Sequence, residues 1–447
     1  MGTGMNSRRL AVLCLTVWDG ERRAVQPRIE SLIYRSSLAA NDRHLAVMLV
    51  NGVLRRMQDL DGIIASYSSF PLARMKSLTL MALRVGVYQL LFLDRVPDSA
   101  AVNETVQVLK KEHQPRWLIN FVNGVLRSVA GNRAVLSQAA REDTVLNHPE
   151  WLVSRWRAAF GPERARAICR RNNREPPLTL RVNTLQAEAA GLAAMLRKKG
   201  YAVRPGTYAP QALVVESFSG PVAELPGYAE GLFHVQDEAA QLVPLLLAPF
   251  DRQAGNLDAC AGLGGKTCQL AQLLGEQAEL AAVEPNRHRF RLLEENIRRL
   301  RLTERVRLFQ GRLEDFAATG PPPFHRIVVD APCSGTGVIG RHPDIRWNRQ
   351  PADLPVLQQQ QLNLLRRAAS LLLPGGILVY ATCSLEEEEN QQVVESFIRD
   401  NPGFAATDCG DAVPAPARKL VDAAGYFRST PADGLDGFFA ARLVRRH

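Results

Sequence analysis

Apolar residues recur three and four positions apart through Leu45–Met57, Leu78–Leu93 and Leu118–Val129, the spacing that gathers them on one face of a helix. Strand-like alternation is absent there, so residues 7–136 are expected to be all helical, broken at Asp61-Gly62, Phe70-Pro71 and Val96-Pro97. Beyond them the pattern changes. His148-Pro-Glu-Trp151 reads as a helix start and Arg164–Arg174 as a basic helix. Leu178–Val182, Ala187–Lys199 and the stretch from Ala202 onward then give strand, helix, strand. From Phe233 short apolar runs alternate with helical ones. Strands are predicted at Asn256–Ala259, Leu280–Glu284, Val306–Phe309, His325–Asp330, Gly376–Ala381 and within Gly437–Val444. Helices are predicted at Lys266–Leu274, Asn286–Leu300, Leu354–Leu372 and Leu385–Arg399. Such alternation implies a parallel, doubly wound sheet that receives its ligand at the strands' carboxyl ends. The expected fold class is therefore multidomain: an all-α helical domain over residues 1–140, a linker and small α/β domain over 141–234, and a Rossmann-like α/β domain over 235–447.

Charge adds a division of labour. Lysine and arginine outnumber aspartate and glutamate by 18 to 10 in residues 1–140 and by 13 to 9 in residues 141–230, whereas residues 231–447 hold 24 against 26. A basic front before a catalytic half with no basic surplus suggests that the front captures a polyanion for the back to modify. A solvated basic surface without a partner is the plainer reading. The run Leu10–Val17 is short, contains Cys14 and leads into Asp19–Arg23, so no secretory leader is expected. No run approaches membrane-spanning length, and no membrane partner is expected. The seven cysteines are odd in number, irregularly spaced and free of any C-x-x-C pair. That pattern argues against a disulfide framework and against a metal site, and suits a reducing cytoplasm.

Candidate chemistry gathers at the predicted strand ends. Gly262-Leu-Gly-Gly265 follows a strand and opens a helix. It is not an ATP phosphate loop, which needs glycine where Cys260 stands, nor a dinucleotide fingerprint, whose third glycine position is Thr267. What remains is a tight turn whose free amides suit an anionic group such as a carboxylate. Glu284, ending the next strand, is placed to accept two ribose hydroxyls, as in adenosyl-cofactor methyltransferases. Two further strands end in Asp330-Ala-Pro-Cys333 and Thr382-Cys383. If these strands pair, about 4.8 Å apart, Asp330, Cys333 and Cys383 share one pocket; otherwise the cysteines are ordinary buried thiols.

The particular strings narrow this reading. Asp42-Arg-His-Leu-Ala46 with Leu49-Val-Asn-Gly-Val-Leu-Arg55, Leu83-Arg-Val-Gly-Val-Tyr-Gln-Leu-Leu-Phe-Leu93, Ala101-Val-Asn-Glu-Thr-Val106 and Asn120-Phe-Val-Asn-Gly-Val-Leu-Arg127 resemble the NusB family, a helical RNA-binding fold. Arg181-Val-Asn-Thr-Leu185 resembles the segment that precedes the catalytic domain of RNA cytosine-5 methyltransferases. Asp258-Ala-Cys-Ala-Gly-Leu-Gly-Gly-Lys-Thr267, Asp330-Ala-Pro-Cys-Ser-Gly-Thr-Gly337, Arg341-His-Pro-Asp344 and Thr382-Cys-Ser384 are similar to the motifs of those enzymes. With the NusB-like front, the chain resembles the RsmB/Sun/Fmu-type bacterial 16S rRNA (cytosine-5) methyltransferases over almost its full length.

The resemblance implies S-adenosyl-L-methionine as cofactor, 16S rRNA as partner, no DNA, a cytoplasmic monomer, and no metal. It makes Cys383 the nucleophile that adds to cytosine C6, Cys333 an assistant in elimination, and Asp330, protonated, a hydrogen-bond partner of the ring. DNA cytosine methyltransferases use the Pro-Cys cysteine for attack, so swapped roles stay open. The implied cofactor contacts are Cys260, Ala261, Gly262, Leu263, Gly264, Gly265, Lys266, Glu284, Arg312, Asp315 and Asp330. Two departures stand out. Leu263 replaces the family's usual proline, and Arg312 replaces the acid after the third strand, which moves the adenine contact to Glu314 or Asp315 or removes it. Lys266 is expected to orient a carboxylate or phosphate. Glu386–Glu389 reads as a helix cap, and Cys260 and Cys268 as packing thiols rather than catalytic ones. A tRNA substrate, or a non-catalytic RNA-binding antitermination factor with a degenerate catalytic domain, are the alternatives.

Overall fold

The computed structural model describes residues 5–142, 145–216, 218, 220–250, 255–275 and 279–446. The chain divides into two compact units: Met1–Pro176 with Ser219–Pro221 and Ile339–Arg349, and Pro177–Phe218 with Val222–Val338 and Gln350–His447.

The first unit is helical, as its periodicity predicts. Ser7–Glu21, Ala40–Arg55, Met57–Tyr67, Asp98–Lys111 and Arg116–Gly131 each bury an apolar stripe. Ser77–Phe92 buries residues on every side, including Met81, Leu83, Val85, Val87 and Leu90, which marks it as the central helix. Arg84 on that helix is buried and held by both oxygens of Asp61, each 2.7 Å away. Asn6 caps the first helix by accepting the Arg9 N–H at 2.9 Å, which satisfies an amide the helix leaves unpaired.

The same unit includes a segment that the chain borrows from its far half. Ile339–Arg349 contains the short helix Ile345–Asn348, and Arg346 on it is fully buried. Its guanidinium donates to Asn147 O at 2.9 Å, Asn172 O at 2.9 Å and Asn173 Oδ1 at 2.7 Å. Trp347 Nε1 donates to Leu54 O at 2.7 Å, and Asp344 Oδ2 accepts the Val25 N–H at 3.0 Å. Trp18 Nε1 donates to Asn348 Oδ1 at 3.0 Å. Local periodicity carries no sign of this placement, because every partner lies far away in sequence.

In the second unit, β1 (Leu178–Val182), β2 (Ala202–Pro205), β3 (Ala212–Glu216) and β4 (Phe233–Val235) form an antiparallel sheet in the order β2-β3-β1-β4. Leu192 and Leu196 of helix Ala189–Lys198 pack with Leu180, Val182, Leu213 and Val215 in its core.

The large sheet comprises β5 (Asn256–Asp258), β6 (Leu280–Glu284), β7 (Arg307–Gln310), β8 (Phe324–Asp330), β9 (Leu372–Thr382), β10 (Phe404–Thr407), β11 (Phe427–Ser429) and β12 (Phe438–Arg445). Its order is β10-β12-β9-β8-β5-β6-β7, with β11 paired to β12. The run from β9 to β7 is parallel. The expectation of a wholly parallel sheet fails at one edge, where β12 is antiparallel to both β9 and β10. The connection explains it: β9 and β10 run the same way, and the chain returns from the end of β10 through β11 with no α-helix to carry it back across the sheet, so β12 enters between them running the other way.

Alternation within the strands feeds two cores. Val328 and Val379 pack with Leu270, Leu293 and Ile297, whereas Ile327, Val329, Leu378 and Tyr380 pack with Leu365, Val393 and Phe397. Helices therefore cover both faces, and β5 and β8, whose successors lead to opposite sides, form the switch point where a doubly wound sheet opens a crevice.

Replacing Arg346 by Met keeps the apolar stem but leaves Asn173 Oδ1 and the carbonyls of Asn147 and Asn172 without their donor. The helical unit should lose about 3 kcal/mol, seen as faster amide hydrogen exchange in helices Ala40–Arg55 and Pro162–Asn172 of the full chain. Unchanged exchange would show that the guanidinium does not hold the segment.

Candidate active site

The register of β8 against β9 sets Asp330 opposite Ala381, and Ala331 N–H donates to Ala381 O at 2.8 Å just beyond. The two strand ends then stay together. Gly337 N–H donates to Cys383 O at 2.9 Å, and Leu385 N–H to Thr336 Oγ1 at 2.9 Å. Gly437 N–H also reaches Gly337 O at 2.8 Å, and a Cβ on Gly337 would overlap the Gly437 carbonyl. Only glycine permits that approach. The outcome is a Cys333 Sγ to Cys383 Sγ distance of 3.3 Å. Both thiols are partly exposed, unlike Cys14, Cys169, Cys268 and Cys409.

The hydrogen bond with Cys383, then burial, then the charges of Cys383, Glu389 and Asp330 push the Cys333 thiol well above the usual range. Either sulfur can donate in the contact between them. Burial pushes Cys268 up to about 12 and Cys260 well above the ordinary thiol range, which fits inert packing for both.

Asp330 is paired. Lys266 Nζ lies 2.7 Å from its Oδ2 and 4.9 Å from the centre of the Phe438 ring. The carboxylate that Lys266 orients is therefore Asp330 itself. Lys266 sits at the start of helix Gly265–Leu273, where its buried stem and its ammonium join the glycine turn to the cysteine pocket.

The turn is built from below and from the side. Asp258, fully buried at the end of β5, accepts from Thr267 Oγ1 at 2.6 Å and from Cys260 N–H at 3.2 Å. Burial, only partly offset by these hydrogen bonds, raises its carboxyl to about 6. Ala261 N–H donates to Val283 O at 2.9 Å. Gly264 adopts φ 91°, and a Cβ there would lie 2.6 Å from Leu293 Cδ1. Leu263 stands 47% exposed at the tip.

Glu284 is only 2% exposed. Its Oε2 accepts Gly262 N–H at 3.0 Å, its Oε1 accepts Asn286 N–H at 2.7 Å, and Arg289 lies 3.2 Å away. Each carboxylate oxygen carries two lone pairs; Oε1 faces both Asn286 N–H and Arg289, and Oε2 keeps capacity for one more donor such as a ribose hydroxyl. The turn amides, Glu284 and the neighbouring thiol pocket thus fit an adenosyl sulfonium cofactor. Arg312 and Asp315 are exposed after β7, and Asp315 Oδ2 accepts the Arg312 N–H at 3.1 Å. Part of the Asp315 carboxylate is therefore engaged in starting helix Leu313–Ala318. Among the described residues no group of three or more His, Cys, Asp or Glu is arranged to hold a metal ion, and no helix is long and apolar enough to cross a membrane.

One expectation needs correction. Glu386–Glu389 does not cap a helix beginning at Leu385: Glu387–Glu389 forms a 3₁₀ turn, and the helix is Gln391–Asp400. Glu386 and Glu389 are buried. Glu389 lies beneath the cysteine pocket, accepting from Ser334 N–H at 2.8 Å and Gln361 Nε2 at 2.9 Å, and from the hydroxyls of Ser334 and Ser384. Sequence offers only a weak pointer, a run of four acids that begins three positions after Cys383, with nothing to say which of them turns inward.

Comparison with known proteins agrees with this geometry. Residues 244–444 match the family model described as 16S rRNA methyltransferase RsmB/F, residues 5–131 match the NusB family, and residues 148–222 match the RsmF/B-like ferredoxin-like domain. Probable ribosomal RNA small subunit methyltransferase B of Bacillus subtilis is 34% identical over 430 residues, covering 94% of each chain. Ribosomal RNA small subunit methyltransferase B of Salmonella newport is 36% identical over 415 residues, covering 92% of each. Among solved structures, PH0851 covers 100% of both chains with a TM-score of 0.78 at 22% identity. A methyltransferase homolog from Pyrococcus horikoshii covers 68% of this chain and 96% of its own, with a TM-score of 0.57 at 28% identity. Similarity at that level along nearly the whole length, together with the glycine turn and the paired cysteine strand ends, shows that the chain belongs to the RsmB/F family of S-adenosylmethionine-dependent 16S rRNA methyltransferases.

Proposed function

We propose that this chain methylates C5 of a cytosine in 16S rRNA through a covalent bond between Cys383 and C6, acting as a monomer in the cytoplasm. The observation that carries the reading is the 3.3 Å contact of two accessible thiols beside the Lys266–Asp330 pair. Cytosine C5 is a poor nucleophile until a thiolate adds to C6 and places an electron pair on C5. The cofactor supplies the methyl group as a sulfonium, and C5 takes it. A base then removes the C5 proton, the ring double bond re-forms and the C6–S bond breaks. Cys383 serves the addition. Cys333 serves the elimination: it takes the C5 proton as its own proton passes to the departing Cys383 sulfur, so the C6–S bond breaks and both cysteines end as thiols. Asp330 faces the N3 edge of the ring together with the Lys266 ammonium that holds its Oδ2, and the ammonium stabilises the charge that develops there. The basic front half supplies sequence-independent attraction for the RNA backbone. The target base reaches the pocket after leaving its stack.

Mapping of 5-methylcytosine in total RNA, with and without the gene, should reveal a loss confined to 16S rRNA. Loss in tRNA alone would overturn the substrate assignment.

Glu284→Ala removes the acceptor of the ribose hydroxyls and the partner of the Gly262 and Asn286 amides. Calorimetry should find cofactor binding weakened by about tenfold or more. Wild-type affinity in a folded variant would take Glu284 out of the site.

The thiols fail on opposite sides of one intermediate. Cys383→Ala should abolish methyl transfer and give no protein–RNA adduct. Cys333→Ala should methylate but accumulate an adduct that survives denaturing electrophoresis. An adduct with Cys383→Ala and none with Cys333→Ala would reverse the roles, and indifference to both changes would remove the covalent route.

A further inference from the structure

Glu389 is fully buried and connects to both strand ends through the residues that follow the cysteines. Ser334, immediately after Cys333, gives it an amide at 2.8 Å and a hydroxyl. Ser384, immediately after Cys383, gives it a second hydroxyl. The serine oxygens are themselves 3.1 Å apart. Gln361 Nε2 divides its hydrogens between Glu389 Oε1 at 2.9 Å and Pro332 O at 3.0 Å, so the residue before Cys333 is held as well.

The neighbouring residue repeats the pattern on the other loop. Asn390 accepts from Thr382 Oγ1 at 2.6 Å and donates to Ser384 O at 3.0 Å, bracketing Cys383 on both sides. Tyr380 fixes the pair from within β9, its hydroxyl donating to Glu389 O at 2.6 Å. Among the described residues no lysine or arginine pairs with the Glu389 carboxylate. A buried carboxylate without a cation is costly unless donors surround it, and all four of its donors belong to, or steady, the thiol loops. A cluster maintained at such cost, at the one place where two strand ends must keep a fixed spacing, has a positioning role.

We infer that Glu389 is the positioning residue that sets the separation of Cys333 and Cys383, by receiving hydrogen bonds from the serine after each. The inference rests on the covalent reading for its catalytic meaning, but the spacing itself is measurable without RNA or cofactor. Diamide removes two electrons and two protons from a thiol pair, joining the sulfurs and becoming the corresponding hydrazine. Only a close pair responds quickly. The other thiols are buried apart from Cys260, and mass spectrometry of the peptide joining Cys333 to Cys383 reads this pair alone.

In the full chain, Glu389→Ala should slow formation of that disulfide about tenfold, and lower kcat on RNA by about a hundredfold, the effect of a misplacement near 1 Å. Cofactor affinity and KM should stay constant. Glu389→Gln, whose amide oxygen still faces the Ser334 and Gln361 donors while the serine hydroxyls turn to accept its NH2, should restore most of the disulfide rate. If the alanine variant fails to fold, Ser384→Ala removes one donor and should still slow the disulfide severalfold. Wild-type disulfide rates in both Glu389→Ala and Ser384→Ala would overturn the inference. A slowed disulfide, with no RNA adduct from either Cys333→Ala or Cys383→Ala, would uphold the positioning role and defeat the covalent reading. An adduct from Cys333→Ala with unchanged disulfide rates in Glu389→Ala and Ser384→Ala would do the reverse.

Discussion

Six residue pairs join β8 to β9, from Phe324 opposite Leu372 to Asp330 opposite Ala381, and the placement of both thiols follows from that register. A slip of one residue would turn every side chain of one strand to the other face. Val328 and Val379 would leave one core, Ile327 and Tyr380 the other, and the cysteine-bearing ends would part. Burial on both faces therefore fixes the chemistry at the strand ends. Short apolar runs are the means, since Ile327-Val-Val329 and Leu378-Val-Tyr380 tolerate no water on either side.

Around that register the site is an arrangement of acids, each with a different neutraliser. Asp330 has the Lys266 ammonium, Glu284 has two backbone amides and Arg289, Asp258 has a threonine hydroxyl and an amide, and Glu389 has only neutral donors. The consequence differs with the neutraliser. Asp258, with two donors and full burial, is drawn up to about 6 and serves as scaffold for the turn. The negative charges of Asp330 and Glu389 act together on Cys333 and add to burial in raising its thiol.

Much of this was legible in the sequence. Glycine at 262, 264 and 265 after a strand, an acid ending the next strand, and two strands ending in cysteine are local patterns with local causes, and the structure brings them together as expected. What escaped was non-local. The direction of β12 is invisible to a period of two, because parallel and antiparallel strands alternate alike; the lack of a crossover helix between β10 and β12 reveals it. Glu389 escaped because four consecutive acids before a helix satisfy the capping pattern equally well whichever one turns inward, and the choice depends on Ser334, 55 positions away.

Arg341-His-Pro-Asp344 shows the same limit from another direction. As a string it marks the family; as structure it begins a segment grouped with the N-terminal helices, with Arg346 buried among Asn147, Asn172 and Asn173. A buried guanidinium with three partners is expensive to desolvate and specific in geometry. The segment therefore belongs to the packing of the helical unit, and partners at 147, 172 and 173 lie too far away in sequence for any local pattern around Arg346 to show them.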